Sequence, residues 1–160
     1  MTWIKDNLER AKRLAKIRED LHLNHKSHRP LSKGYEVIGV YGEMKFEAIT
    51  GYPMDEGGHI QGDRGIDFRT PAGNIDVKTA KSAPFLIIEK GKCHTDIIYV
   101  LAQIDYIDVT MLGWEHGSVM AERPYKPWPP KGVINHYKAM RQLRPMESLY
   151  DQLEMIGVRP

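Results

Sequence analysis

Three charged residues near the middle of the chain, Asp67, Asp76 and Lys78, have types and spacing that suit a metal site. Residues 75–79 alternate apolar and polar, the period of a half-buried strand, so Asp76 and Lys78 share one face. Residues 70–73 have Pro second and Gly fourth, as a type I turn prefers. If these four residues form a hairpin loop, Asp67 lies opposite Asp76, and the two carboxylates repel each other unless a cation lies between them. Oxygen ligands at this spacing suit a hard cation such as Mg²⁺, with Lys78 beside it.

Two helices are predicted before this hairpin. The first runs from Thr2, a good capping residue, to about Leu21. Its apolar residues recur at helical spacing and form one stripe: Ile4, Leu8, Ala11, Leu14, Ala15, Ile17 and Leu21. The second runs from Tyr35 to about Thr50 and ends at Gly51.

The rest of the chain predicts strands and a short terminal helix. Residues 97–103 are continuously apolar, as in a strand buried on both faces, and residues 109–114 form another strand. Four prolines between 124 and 130 predict a docked loop or a linker. Apolar residues at helical spacing predict a helix within 145–156.

The order of an Asp, a short hairpin and Asp-x-Lys with an apolar middle residue resembles the PD-(D/E)XK nuclease superfamily. The resemblance covers about residues 34–115, with Gly42-Glu43 on a helix upstream and an apolar strand downstream. The chain departs from the pattern in having Ile66, and no Pro, before Asp67. The resemblance implies an α/β, restriction-endonuclease-like fold with an αβββαβ core, in which helices flank a small mixed sheet. It also implies metal-dependent cleavage of nucleic-acid phosphodiesters.

The resemblance assigns a role to each candidate residue. Asp67, Asp76 and the Val77 carbonyl would bind Mg²⁺ or Mn²⁺, and Glu43 stands where the family has a helix-borne acid near the metal. Lys78 would orient or deprotonate the water, or stabilise charge on the phosphate. A lysine beside two carboxylates stays charged, which favours charge stabilisation.

Several alternatives carry less weight. Glu47 competes with Glu43 as the helix acid, and Asp63 with Asp67 as the first acid of the motif. His22, His25 and His28 lack a nearby cysteine and lie beside cationic residues, so they suit phosphate contact better than zinc. Cys93 and His94 are adjacent in sequence and would point apart in a strand. Tyr125 and Trp128 could stack on bases, although packing onto the core is the simpler role.

Charge is unevenly distributed along the 160 residues. Residues 1–33 have nine Lys and Arg against four Asp and Glu, residues 34–122 have seven against fourteen, and residues 123–160 have seven against three. Basic ends around an acidic middle suit a metal site flanked by phosphate-binding surfaces, although solvated helices give the same pattern. The candidate DNA contacts are Lys26, Arg29, Lys33 and Lys81.

The length predicts one domain, with a basic helical arm at 1–33, a catalytic core at 34–115 and a Pro-rich C-terminal extension at 116–160. One cysteine and no visible signal peptide predict the cytoplasm, that of the host if the gene belongs to a phage. The first helix's apolar stripe is a candidate interface for a homodimer, since cutting two strands takes two sites.

The function expected from the sequence is a Mg²⁺-dependent DNA endonuclease. Its small size suits a phage or mobile-element enzyme of recombination, repair or junction resolution. Two rivals remain open: a nucleic-acid-binding module that kept the fold without catalysis, and a subunit whose fold serves assembly.

Overall fold

The computed structural model describes residues 2–23, 35–54, 66–82, 85–122, 125–128 and 133–153. The helices are α1 (Trp3–Asp6), α2 (Leu8–Leu23), α3 (Tyr35–Thr50), α4 (Gly117–Met120) and α5 (Met146–Tyr150), with a short 3-10 helix at Met140–Gln142. The strands are β1 (Phe68–Thr70), β2 (Gly73–Ala80), β3 (Phe85–Glu89), β4 (Ile97–Ile104), β5 (Val109–His116), β6 (Tyr125–Trp128) and β7 (Val133–Ala139).

The first sheet is mixed and has the strand order β1-β2-β4-β5. β1 and β2 form the predicted hairpin, and Arg69 pairs with Asn74 as expected. β2 is parallel to β4, which is antiparallel to β5. β4 therefore lies inside the sheet and is buried on both faces, as predicted. The chain is thus an α/β protein with a small mixed sheet flanked by helices.

The second sheet was not predicted from the sequence. β3, β7 and β6 are antiparallel in that order. The prediction of a loop or linker around Pro127 was wrong, because this residue lies in β6 and pairs with Ile134 of β7. β6 lies at an edge of its sheet, where a strand can contain proline. An αβββαβ order calls for a helix before its last strand, whereas the described element between β2 and β4 is β3.

The N-terminal segment forms two helices where one was predicted. Thr2 caps α1, since its hydroxyl accepts a hydrogen bond from the Lys5 amide at 3.2 Å. Asn7 separates α1 from α2. The apolar stripe of α2 is buried in the chain's own core, with Ala11 and Leu14 almost fully covered. Ala11, Leu14 and Ala15 of the stripe therefore serve the chain's own core, and the homodimer, with this helix as its candidate interface, stays a prediction.

Two apolar cores lie on the two faces of the first sheet. Ile75 and Val77 point into the core formed with α2, α3 and α5. Tyr99 and Leu101 of β4 point the other way, into the core that includes Leu86 of β3. Within the described residues, no helix is long and apolar enough to cross a membrane.

Candidate metal centre

Asp76 and Lys78 lie on one face of β2, as their spacing predicted, and they form an ion pair. The Lys78 Nζ atom is 3.0 Å from Asp76 Oδ2. The Asp76 side chain is buried, whereas the Lys78 side chain is 43 % exposed. Burial disfavours the ammonium, but the charge of Asp76 and the hydrogen bond to it outweigh this and raise the pKa of Lys78. Lys78 is therefore a charged donor and not a base.

Asp67 precedes β1 and points its carboxyl group at the neighbouring strand. The paired ladder of the hairpin ends at Phe68 and Ile75. Beyond it, the Asp67 amide donates to the Ile75 carbonyl at 2.9 Å, and Asp67 Oδ2 accepts from the Val77 amide at 2.7 Å. Because the N–H and C=O of a strand residue point to the same side, the Val77 carbonyl faces the same edge of β2.

The surroundings of Asp67 disfavour the charged form of its carboxyl group. Burial raises the pKa of its carboxyl well above the usual range, and the charges of Glu43 and Asp76 raise it further. The hydrogen bond from Val77 and the charge of Lys78 only partly oppose this. The charges of Glu43 and Asp76 thus both act on Asp67.

Glu43 enters this group from α3, but both of its oxygens are already bound. Arg18 of α2 donates through Nη1 to Oε2 and through Nη2 to Oε1, each at 2.6 Å. Glu43 is buried, and Arg18 is mostly covered. The Glu43 carboxylate therefore acts on Asp67 through its charge, while Arg18 binds the two Glu43 oxygens.

Glu47, the competing helix acid, has a structural role. Its Oε1 accepts from Arg10 Nη1 at 2.7 Å, and its Oε2 accepts from the Met54 amide at 2.8 Å. It joins α2 to α3 and holds the segment that follows α3. Of the two candidates, Glu43 is the one whose charge acts on Asp67.

Tyr99 of β4 lies beside Asp76 in the parallel register and was missed by the sequence analysis. Its hydroxyl accepts from the His94 amide at 2.9 Å. Burial raises the pKa of Tyr99 to about 12, so the phenol stays neutral. Tyr99 thereby fixes the segment that carries Cys93, a thiol whose pKa is itself raised by burial.

The donor chemistry of the centre fits a hard divalent cation. Asp67, Asp76 and the Val77 carbonyl offer only oxygen, which Mg²⁺ and Mn²⁺ prefer. The crowding of negative charge on Asp67 is what a cation would relieve. In the described ranges, no three His, Cys, Asp or Glu side chains converge closely enough to hold an ion. Any ion would thus rest on two carboxylates and main-chain oxygen.

The remaining predicted residues are not brought into this centre. Lys81 follows the end of β2 and is exposed, and its carbonyl accepts a hydrogen bond from Gln103 at 3.4 Å. The other predicted DNA contacts, the alternative acid and two of the loop histidines lie outside the described residues: Lys26, Arg29, Lys33, Asp63, His25 and His28.

Arg18 is the second residue that the sequence analysis missed. Its partner Glu43 is 25 positions away, and only the packing of α2 on α3 brings the two together. The available signal was an arginine next to the apolar stripe of a helix, where a cation needs a partner. Comparison with known proteins adds nothing to these assignments, since no protein-family model, curated protein or solved structure matches the chain.

Proposed function

We propose that this chain is a metal-dependent DNA endonuclease with a restriction-endonuclease-like core. The observation that supports this most strongly is the setting of Asp67. It is a half-buried acid immediately before β1, hydrogen-bonded to Val77 and close enough to Asp76 and Glu43 to be affected by their charges. A solvated strand face would not gather buried acids in this way, since an uncompensated buried charge is costly.

The fold supports the proposal in part. A helix carrying an acid, followed by a hairpin with Asp67 and Asp76, agrees with the start of the expected αβββαβ order. The chain departs from that order after β2, because β3 pairs in a separate sheet and no helix is described between β2 and β4. This departure lies outside the hairpin, so it does not alter the candidate acids.

Asp67, Asp76 and the Val77 carbonyl would hold Mg²⁺ or Mn²⁺. Bound there, the ion would polarise the phosphate and lower the pKa of a water. The protein's own contribution is charge placement. Lys78 holds its ammonium 3.0 Å from Asp76 on a half-exposed side chain, where it would stabilise the negative charge that builds up on the phosphate during cleavage.

The test is a cleavage assay on linear, nicked, flapped and four-way DNA with Mg²⁺, Mn²⁺, Ca²⁺ or EDTA. We expect cutting with Mg²⁺ or Mn²⁺ and none with EDTA. Ca²⁺ should bind without turnover, because its looser coordination fixes the attacking water poorly. Undiminished cutting in EDTA would rule out the metal-dependent mechanism, and the panel would reveal which DNA shape is preferred.

A catalytically silent nucleic-acid-binding module is the second candidate. The observation that favours it is that two of the three acids already have cationic partners, Glu43 with Arg18 and Asp76 with Lys78. A titration with Mn²⁺ separates the two candidates. A silent module would bind DNA without binding the ion, whereas the nuclease would bind both.

A further inference from the structure

A row of three paired residues leads across the first sheet from the candidate metal centre to β5. Asp76 of β2 pairs with Tyr99 of β4, and Tyr99 pairs with Glu115 of β5. Residues that pair across neighbouring strands share a face of the sheet, so the three side chains start from the same face. Neighbouring strands lie about 4.8 Å apart, which places Glu115 about 10 Å from Asp76 across the sheet.

A half-exposed cation binds the acid at each end of this row. At one end, Lys78 Nζ lies 3.0 Å from Asp76, and the Lys78 side chain is 43 % exposed. At the other end, Arg144 Nε donates to Glu115 Oε1 at 2.8 Å, and the Arg144 side chain is 48 % exposed. Each end of the row thus has a cationic side chain at the protein surface.

The Arg144 guanidinium is fixed in place. Its backbone pairs with that of Trp114 through hydrogen bonds of 2.9 and 3.0 Å, and its Cζ atom lies 5.5 Å from the centroid of the Trp114 ring. The ring is itself held, because Trp114 Nε1 donates to the Pro145 carbonyl at 3.1 Å and to Ser148 Oγ at 3.0 Å. Nε carries one of the N–H donors of a guanidinium, and the others are on the Nη nitrogens, in a rigid fork that matches phosphate. A guanidinium held in this way loses little freedom when it binds a second anion.

Positive charge at this edge exceeds what Glu115 needs. Lys138 of β7 also donates to Glu115, so two cations share one carboxylate, and Lys138 is the more buried of the two. Arg141, in the 3-10 helix three residues before Arg144, is exposed and adds a further cation. Residues 136–145 contain no Asp or Glu. The segment therefore has a net positive charge, which attracts phosphate.

We propose that Arg141 and Arg144 bind phosphates of the DNA backbone and thereby position the strand that is cut at Asp76. This inference rests on the proposed endonuclease function. One strand of a DNA duplex carries a phosphate for about every 3.4 Å of helix axis. A contact about 10 Å from the centre therefore falls roughly three nucleotides from the phosphate that is cut. Arg141 and Arg144 would hold the strand without contacting the metal or the reacting phosphate.

The test measures binding of a short labelled DNA duplex to the full chain by fluorescence anisotropy at several salt concentrations, with Ca²⁺ in place of Mg²⁺. Arg141→Ala should reduce the log–log slope of affinity against salt by about 0.9, the value for one lost phosphate contact, and leave the Tm unchanged. Arg144→Gln should reduce the slope equally and also lower the Tm, because Glu115 loses a partner. Arg13→Ala, the matched control, removes an exposed arginine of α2, which packs on the opposite face of the sheet, and should leave the slope unchanged.

Arg144→Lys separates a phosphate contact from a purely structural role. It retains the charge, so the slope should match that of wild type, while loss of the guanidinium fork should weaken the affinity. If Arg144 only held Glu115 in place, Arg144→Gln would lower the Tm without changing the slope. Arg141→Ala keeps the inference testable should Arg144→Gln fold poorly.

The outcomes separate this inference from the proposed function. Unchanged slopes in Arg141→Ala and Arg144→Gln, with DNA still bound by wild type, would overturn the inference and leave the function standing. No DNA binding by wild type would overturn both. Reduced slopes, together with no cleavage by wild type in Mg²⁺ or Mn²⁺, would support the inference and favour the silent module.

Discussion

Asp67 is the side chain whose chemistry departs furthest from that of an exposed acid. It accepts one hydrogen bond from Val77, and no cation pairs with it among the described residues. Burial and the charges of Glu43 and Asp76 raise its pKa. A folded-state pKa above the unfolded value of about 3.9 means that the protein loses stability as pH rises from that value through the folded pKa.

Asp67→Asn should therefore stabilise the metal-free protein at neutral pH. The asparagine can still accept from Val77 but carries no charge, so the Tm should rise by about 2–4 °C for each kcal/mol of relief. Thermal unfolding at pH 4 and pH 8 checks this: the gain should be large at pH 8 and small at pH 4. Mg²⁺ should raise the Tm of wild type only. A variant less stable than wild type at pH 8 would contradict the idea that the charged Asp67 carboxylate destabilises the folded protein.

Asp76→Ala and Lys78→Ala should both abolish cleavage, but by different routes. Under the proposed function, loss of Asp76 would remove a metal ligand, so Mn²⁺ affinity should fall. Loss of Lys78 removes a cation 3.0 Å from that ligand, so Mn²⁺ should bind at least as tightly while the rate at saturating DNA drops by about 10²–10³.

Lys45→Ala is the matched control for these two variants. It removes another lysine paired with an aspartate, Asp108 at 2.7 Å, in the turn between β4 and β5. Its cleavage rate should match that of wild type. If Asp76→Ala or Lys78→Ala also kept that rate, the residue concerned would have no place in catalysis.

The contact between α3 and β2 positions Glu43 relative to the hairpin. At Gly42 the helix approaches so closely that a Cβ atom there would lie 1.8 Å from Thr79 Oγ1. Thr79 faces α3, on the opposite side of β2 from Asp76 and Lys78. Any side chain at position 42 would push α3 off the strand and carry the neighbouring acid with it.

Gly42→Ala should cost about 1–3 kcal/mol of stability through overpacking. Gly39→Ala, three residues earlier in the same helix, should gain about 0.5–1 kcal/mol, because it has open space and alanine is the better helix former. Urea unfolding of the two variants gives the comparison. Equal effects of the two alanines would mean that α3 and β2 are not in close contact.

Elements stabilised by near neighbours could be predicted from the sequence, and those stabilised by distant ones could not. The hairpin followed from the turn residues and the alternation in β2, and α2 and α3 followed from their helical periodicity, which did not predict the break at Asn7. β7 pairs with β3, which lies about fifty residues away in the sequence. Pro127 disfavours a strand in general, and the sequence does not show that β6 is an edge strand, where proline is tolerated. The same limit applies to the centre: Asp76 and Lys78 are two positions apart, but the Arg18–Glu43 pair depends on tertiary packing.

Glu115 joins three segments of the molecule at the second core. Its carboxylate in β5 accepts from Lys138 of β7 and from Arg144 Nε, the latter at 2.8 Å, and also from the His116 amide. Burial alone would raise the pKa of Glu115, but the hydrogen bonds from Arg144 and Lys138 outweigh it and lower the pKa. The stability that Glu115 contributes is therefore present above its unfolded pKa of about 4.3 and is lost as pH falls through the lower folded value.

Glu115→Gln should lower the free energy of unfolding at pH 7. It should also make that free energy depend less on pH in acid. The cost should be about 3 kcal/mol, near the lower end for breaking a buried pair, because Arg144 is half exposed. Urea unfolding at pH 7, 5 and 3.5 measures both effects. Glu9→Gln, at an exposed position of α2, is the control and should change neither. If the free energy of unfolding of Glu115→Gln still falls steeply as the pH is lowered, other carboxylates cause that fall.

The path of the chain between the two sheets determines how the protein unfolds. After β2 the chain enters the second sheet as β3 and returns to the middle of the first sheet as β4. Neither sheet can unravel alone, because β3 is tethered at both ends to central strands of the other. Unfolding should thus be all-or-none, with amides of β4 and β7 exchanging with solvent through the same global opening. Damage to β7 would then reduce activity by lowering the number of intact molecules, leaving each intact molecule as competent as before.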